Sequence, residues 1–177
     1  MVSTDRILQN SARAVLVNFR SRKLKLAAAE SCTGGLLTAT LTEIPGSSDV
    51  VERGFVTYSN ASKRELLGVP LSTLRKFGAV SRPTAVAMAK GVLKHSAADV
   101  SVAITGIAGP SGGSRHKPVG LVHIAAAARA GGLLHRELRF GNIGRRKVHR
   151  LSVLEALSML QEVAASGARP RRGRPSG

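Results

Sequence analysis

Leu24-Lys25-Leu26-Ala27-Ala28-Ala29-Glu30-Ser31-Cys32-Thr33-Gly34-Gly35-Leu36-Leu37 reads as an apolar strand that stops at an acid and a serine, after which two glycines open a helix. The order places a hydroxyl at the carboxyl end of a strand, beside the backbone N–H groups that a helix N-terminus leaves unpaired. Such groups attract anions and stabilise developing negative charge. Two chemistries suit that geometry: a nucleophile with its oxyanion site, or a phosphate-binding turn. Both make the segment a small-molecule site rather than scaffold.

Outward from this stretch, helices alternate with strands. Upstream, Ile7, Leu8, Ala12, Val15, Leu16 and Phe19 recur at helical spacing over residues 4–20. Downstream, a helix is expected from Gly34 to about Leu41, ending before Pro45-Gly46, and a second strand over 54–58 after a short element at Val50-Val51. Asn60 is the expected cap of a helix over 61–67 with Gly68 as its stop; a short helix follows over 71–77, and Ser81 caps one over 83–94. Val100, Val102 and Ile104 alternate as a third strand that runs into the glycine-rich loop 105–114. Residues 119–127 and 133–140 form two further strands around the hairpin signal Ala130-Gly131-Gly132, and 145–165 a closing helix. The expected fold is α/β: a three-layer α/β/α sandwich on a mixed, mostly parallel sheet of about five strands with one antiparallel hairpin.

Length and composition set the bounds. The chain has 177 residues and 43% hydrophobic content, enough for one domain with a substantial core. One domain is expected over 1–166, followed by a basic, disordered tail over 167–177. No uncharged apolar run reaches membrane-spanning length, and the charged first 25 residues lack the apolar core of a secretory signal. The single cysteine, Cys32, excludes an internal disulfide, and a cytoplasmic location is expected. Net charge is +17, but it is concentrated at the ends: residues 1–25 hold six basic side chains against one acidic, and 129–177 hold eleven against three. The excess favours phosphorylated or polyanionic partners. Aromatics at 3% and the lack of tryptophan supply little stacking platform, so nucleic acid is a possible but less favoured partner.

In a sheet of this topology the carboxyl ends of the strands share one crevice. Three segments meet there: Glu30 to Gly35; Tyr58-Ser59-Asn60 with Lys63; and the 105–114 loop. Ser31 is the candidate nucleophile, and an alkyl hydroxyl needs a base. No histidine lies in the three segments, which weakens a Ser–His–acid triad. A lysine serves if its pKa is lowered, and Lys63 falls in the first turn of its helix, where the dipole disfavours the ammonium form. Tyr58 can relay a proton or orient a substrate. The structural alternatives are an N-cap role for Ser31, a solvated Lys63, a packing role for Tyr58, local capping by Glu30, and a small buried hydrophobe in Cys32.

Ala29-Glu30-Ser31-Cys32-Thr33-Gly34-Gly35, Pro45-Gly46-Ser47-Ser48, Gly54-Phe55-Val56-Thr57-Tyr58-Ser59-Asn60 with Lys63, Leu67-Gly68-Val69, Gly78-Ala79-Val80-Ser81, Ile104-Thr105-Gly106-Ile107-Ala108-Gly109-Pro110 and Lys117-Pro118-Val119-Gly120 form an ordered set. Together they resemble the CinA C-terminal family, whose members include stand-alone bacterial nicotinamide mononucleotide deamidases. The resemblance covers residues 5–162 and matches the single-domain form. It implies hydrolysis of the carboxamide of nicotinamide mononucleotide to nicotinate mononucleotide and ammonia, in pyridine nucleotide recycling. It places the family's serine, tyrosine and lysine on Ser31, Tyr58 and Lys63, and implies no metal or organic cofactor and a homo-oligomer, dimer or larger. Ser31 would attack the amide and Lys63 would take its proton directly or through Tyr58, with amides of Thr33 to Gly35 holding the oxyanion. The expected substrate contacts are Glu30, Thr33, Gly34, Gly35, Asn60, Thr105, Gly106, Gly109, Ser111, Gly112 and Arg145, with Arg115 and Lys117 as alternative cations for a phosphate. Asn142 stands where the family often has an aspartate, and His149 where an arginine is common. The alternative reading is a non-catalytic nucleotide- or DNA-associated protein, in keeping with the competence and DNA-damage label of the wider family.

Overall fold

Alanine-rich strands without polar alternation need a helix on each face of the sheet, and the chain supplies both. In the computed structural model, which describes residues 4–167, five strands are ordered β2-β1-β3-β4-β5. β1 (Leu26–Glu30) pairs in parallel with β2 (Val51–Val56) and with β3 (Val100–Gly106). β4 (Leu121–Ala128) runs antiparallel to β3 and to β5 (Leu133–Arg139), so one reversed strand interrupts an otherwise aligned sheet.

One face of the sheet packs on α1 (Thr4–Ser21), α2 (Leu36–Thr42) and α6 (Arg145–Gly167). There Leu8, Val15, Leu16 and Phe19 of α1 meet Leu26, Val102, Ile104 and Ile124 of the sheet and Leu157 and Leu160 of α6. The other face carries α5 (Arg82–Lys94), flanked by α3 (Asn60–Leu67) and α4 (Leu71–Phe77). That second interface is built on small side chains: Ala27, Ala29, Ala103, Ala125 and Ala127 against Ala85, Met88, Ala89 and Val92. Small residues let α5 sit close, and Ser101 Oγ donates to the Ala89 carbonyl at 2.8 Å. Gly91 is required by the same crowding, since a Cβ there would lie 2.2 Å from the Leu67 carbonyl oxygen.

Several boundaries differ from the sequence expectation, each for a local reason. β2 begins at Val51 and ends at Val56, earlier than the expected 54–58, because it pairs along the whole of β1, from Leu26 opposite Val51 to Glu30 opposite Val56, and its edge position tolerates the Glu52–Arg53 ion pair. Tyr58 therefore lies beyond the strand. Ser59, not Asn60, caps α3: its side chain accepts from the Ser62 N–H at 3.0 Å. Ser81 caps α5 as expected. α2 starts at Leu36, two residues after the expected Gly34, because Gly34 and Gly35 adopt left-handed φ of +62° and +102°. Of the expected tail over 167–177, Gly167 is the last residue of α6, and 168–177 lie outside the described residues.

Strand order reverses between β1 and β3: β1 connects outward to β2, whereas β3 connects to β4 on the opposite side. Such a switch point opens a crevice at the carboxyl ends of the two strands.

Candidate active site

Glu30 ends β1 and sets the geometry of everything after it. Its side chain is fully buried; Oε2 accepts from the Leu37 N–H at 2.9 Å, and Oε1 accepts from the Thr38 N–H at 2.8 Å and the Thr38 hydroxyl at 2.9 Å. The N-cap of α2 is Gly35, which has no side chain to offer, so a carboxylate from the preceding strand does the capping. The helix N-terminus does bind an anion, and that anion is Glu30. The Leu36 N–H is likewise engaged, on the Thr33 carbonyl. The leading amides of α2 are therefore not aimed at a substrate, which corrects the expectation drawn from the strand-to-helix order.

Ser31 follows on the strand end, held by its N–H to the Ile104 carbonyl of β3 at 3.0 Å. It is not a helix cap. Its Oγ lies 3.0 Å from Lys63 Nζ, although 32 residues separate the two in sequence. Lys63 comes from the first half of α3, and its side chain is 1% exposed. Its Nζ also donates to the Thr57 carbonyl at 2.7 Å and, more loosely, to the Tyr58 carbonyl at 3.4 Å. Three neutral oxygens and no carboxylate are its hydrogen-bond partners. Burial away from water, without a compensating anion, pushes its pKa down to about 8. A lysine in this state gives up its proton near neutral pH and accepts one from a bonded hydroxyl.

These groups open on a cavity of about 260 Å³. Ser31, Tyr58, Lys63, Thr105, Gly106, Gly109, Ser111, Gly112 and Arg145, all expected in the site, line it together. Thr105 is anchored by its hydroxyl to the Ala79 carbonyl at 2.9 Å. Arg145, at the start of α6, spans the mouth: Nη1 donates to the Gly109 carbonyl at 3.1 Å and Nη2 to the Tyr58 hydroxyl at 3.2 Å. It forms no ion pair among the described residues, so its charge faces the cavity unneutralised. Tyr58 is 63% exposed, and its hydroxyl accepts from Arg145 rather than meeting Lys63. Proton transfer through Tyr58 therefore has no hydrogen-bonded path here, and the direct Ser31–Lys63 route does.

Five expected contacts fall outside the cavity wall: Glu30, Thr33, Gly34, Gly35 and Asn60. Glu30 is committed to α2, the Gly34 N–H to the Ser31 carbonyl at 3.1 Å, and Asn60 is exposed on the first turn of α3. Lys117 is likewise occupied, donating to the Phe77 carbonyl at 2.6 Å. The amides of Cys32 and Thr33 have no backbone acceptor among the described residues. The Cys32 amide belongs to the residue directly after Ser31, which lines the cavity, a position from which a backbone N–H can serve as an oxyanion donor. The wall is completed by Cys32, Ala79, Val80, Ile107 and Ala108. Apolar residues carry no chemical cue in a sequence, and only the fold, which sets the 78–81 turn and the loop after β3 side by side, brings them to the site. Burial pushes the Cys32 thiol up to about 12, so it stays protonated and does not compete with Ser31 as a nucleophile.

The model of the CinA C-terminal domain matches residues 8–164. The chain belongs to the CinA C-terminal domain family. A CinA-like protein of Syntrophus aciditrophicus is 49% identical over 169 residues, which is 95% of this chain and 39% of that protein. One from Chlorobium limicola is 48% identical over 147 residues, 79% of this chain and 34% of that protein. The chain thus spans well under half the length of these curated relatives. Among solved structures, the competence/damage inducible protein CihA of Agrobacterium tumefaciens is 54% identical with a TM-score of 0.87, covering 88% of this chain and 94% of its own. A CinA superfamily protein of Escherichia coli is 33% identical with a TM-score of 0.84, covering 92% and 93%. Among the described residues of this CinA domain, no helix is long and apolar enough to cross a membrane.

Proposed function

We propose that this CinA domain is an amidase that hydrolyses the carboxamide of nicotinamide mononucleotide. The observation that carries the proposal is the 3.0 Å contact between Ser31 Oγ and the Nζ of a buried lysine, on the floor of a cavity. A nucleophile and base at hydrogen-bond distance are the minimum requirement of acyl transfer.

Neutral Lys63 takes the Ser31 proton as Oγ attacks the amide carbon. The oxyanion that develops is met by the Cys32 amide, a contact of a kind worth about 3–4 kcal/mol in the transition state. The tetrahedral intermediate collapses as the Lys63 ammonium returns its proton to the leaving nitrogen, which departs as ammonia. Water then attacks the Ser31 ester with Lys63 again as base and releases nicotinate mononucleotide. The proton inventory closes on Ser31 and Lys63 alone.

Substrate choice follows from the rest of the wall. Ala79, Val80, Ile107 and Ala108 offer an apolar slot for a flat ring, and Arg145 with the 109–112 loop offers charge and backbone donors for a phosphate. The test is ammonia release from nicotinamide mononucleotide by the wild-type protein and by Ser31→Ala. Release by the first and not the second supports the proposal; equal release by both removes Ser31 as nucleophile. Free nicotinamide, which lacks the phosphate, is expected to turn over with kcat/KM lower by roughly 10²-fold or more.

A further inference from the structure

We propose that the Ser31–Lys63 site is also an acyltransferase, handing the acyl group held on Ser31 Oγ to small neutral amines such as hydroxylamine. The inference rests on the amidase reading above and concerns its second half-reaction.

Among the described residues the cavity wall contains no carboxylate and no imidazole; its titratable side chains there are Cys32, Tyr58, Lys63 and Arg145. Cys32 stays protonated, Tyr58 is tied to Arg145, and a guanidinium does not accept protons. Lys63 is therefore the one base for both halves of the reaction. No second titratable base among the described wall residues serves a hydrolytic water, so Lys63 is the group that activates whichever small nucleophile enters. Reversibility makes the same point from the other direction. Amide cleavage requires a position, within reach of Lys63 Nζ, from which a neutral amine leaves the tetrahedral carbon. An amine entering that position retraces the step toward the acyl-enzyme.

Size sets the limit. Ser31 is 8% exposed and its neighbour Cys32 6%, so attack on an ester at Oγ comes from the cavity side. Hydroxylamine is close in size to ammonia and stays neutral at the pH where Lys63 is half deprotonated. A branched or aromatic amine does not fit beside a seated ring.

The transfer step balances without an oxidant or a second cofactor. The amine nitrogen bonds to the acyl carbon, the bond from that carbon to Ser31 Oγ breaks, and the proton lost from nitrogen passes through Lys63 Nζ to Oγ. The products are a hydroxamate and free Ser31.

The experiment supplies nicotinamide mononucleotide with rising hydroxylamine at pH 8, and measures ammonia, nicotinate mononucleotide and the hydroxamate in parallel. The expected result is hydroxamate growing at the expense of the acid, with their sum equal to the ammonia released. Ser31→Ala is expected to form neither product, and O-tert-butylhydroxylamine, a bulky amine that is also neutral at this pH, is expected to leave the acid as sole product. Ammonia release with the acid as sole product at every hydroxylamine concentration overturns the transfer proposal and leaves the amidase reading standing. Hydroxamate formed equally by Ser31→Ala overturns it as an uncatalysed reaction. No ammonia with or without hydroxylamine overturns both.

Discussion

At the scale of the residue, a buried lysine without an anion is a liability kept for its chemistry. Lys63 has its pKa held at about 8, well below the 10.5 of a free lysine, chiefly by burial. The folded state thus disfavours the ammonium, and the unfolded chain binds more protons between those two values. Stability is expected to rise as pH increases from about 8 to 10.5, by at most an amount on the order of 3 kcal/mol. It follows that Lys63→Met, which keeps length and removes the charge, raises stability at pH 7 by roughly 1–3 kcal/mol in urea denaturation while lowering ammonia release by about 10³-fold or more. Loss of both stability and activity would mean that the amine contributes to the fold rather than burdening it. Ser31, Tyr58 and Lys63 were legible in the sequence because each is a chemically distinctive residue near a strand end. Glu30 was not, because a carboxylate beside a nucleophile reads equally as base, ligand or cap. Only the contacts at Leu37 and Thr38 decide among these.

At the scale of the element, α2 is a seven-residue helix with a glycine cap, and Glu30 compensates for what that cap lacks. Glu30→Ala is expected to cost about 2–3 kcal/mol in denaturation midpoint, since two buried amides and a hydroxyl lose a charged acceptor. It is also expected to lower kcat by loosening the turn that carries Ser31, whereas Thr38→Ala, which removes one of the three donors, costs about 1 kcal/mol. Equal stability of Glu30→Ala and wild type would show that the α2 amides find other acceptors. Helix termini marked by Ser81, Gly68 and Gly78 were readable because each carries its own local signal. The start of β2 was not, since an edge strand exposed to water tolerates Glu52 and Arg53 where a central strand would exclude them.

At the scale of the whole molecule, alternation of helices and strands was enough to give the layered fold, because both faces of the sheet must be covered. The meeting of Ser31 with Lys63 needed more. It depends on strand order, which brings the end of β1 against the segment after β2. Acid stability is also a property of the whole sheet. His123 of β4 and His135 of β5 stack with ring centres 5.3 Å apart, Nδ1 to Nε2 at 3.1 Å, beside Glu137 and near Lys117, Arg139 and Arg82. Burial lowers the pKa of both, so the neutral pair is favoured in the fold. Thermal midpoint is expected to hold steady between the ordinary histidine value of 6.5 and about pH 8, where the Lys63 contribution begins, and to fall as pH drops below 6.5. The fall is smaller in His135→Asn, and an unchanged profile in that variant would assign the acid sensitivity elsewhere. The central claim, that Lys63 is the base for Ser31, is tested most directly by the pH dependence of kcat/KM for nicotinamide mononucleotide. The account requires kcat/KM to rise about tenfold per pH unit in the acid range and level off near pH 8, where Lys63 loses its proton. A profile flat across that range would contradict it.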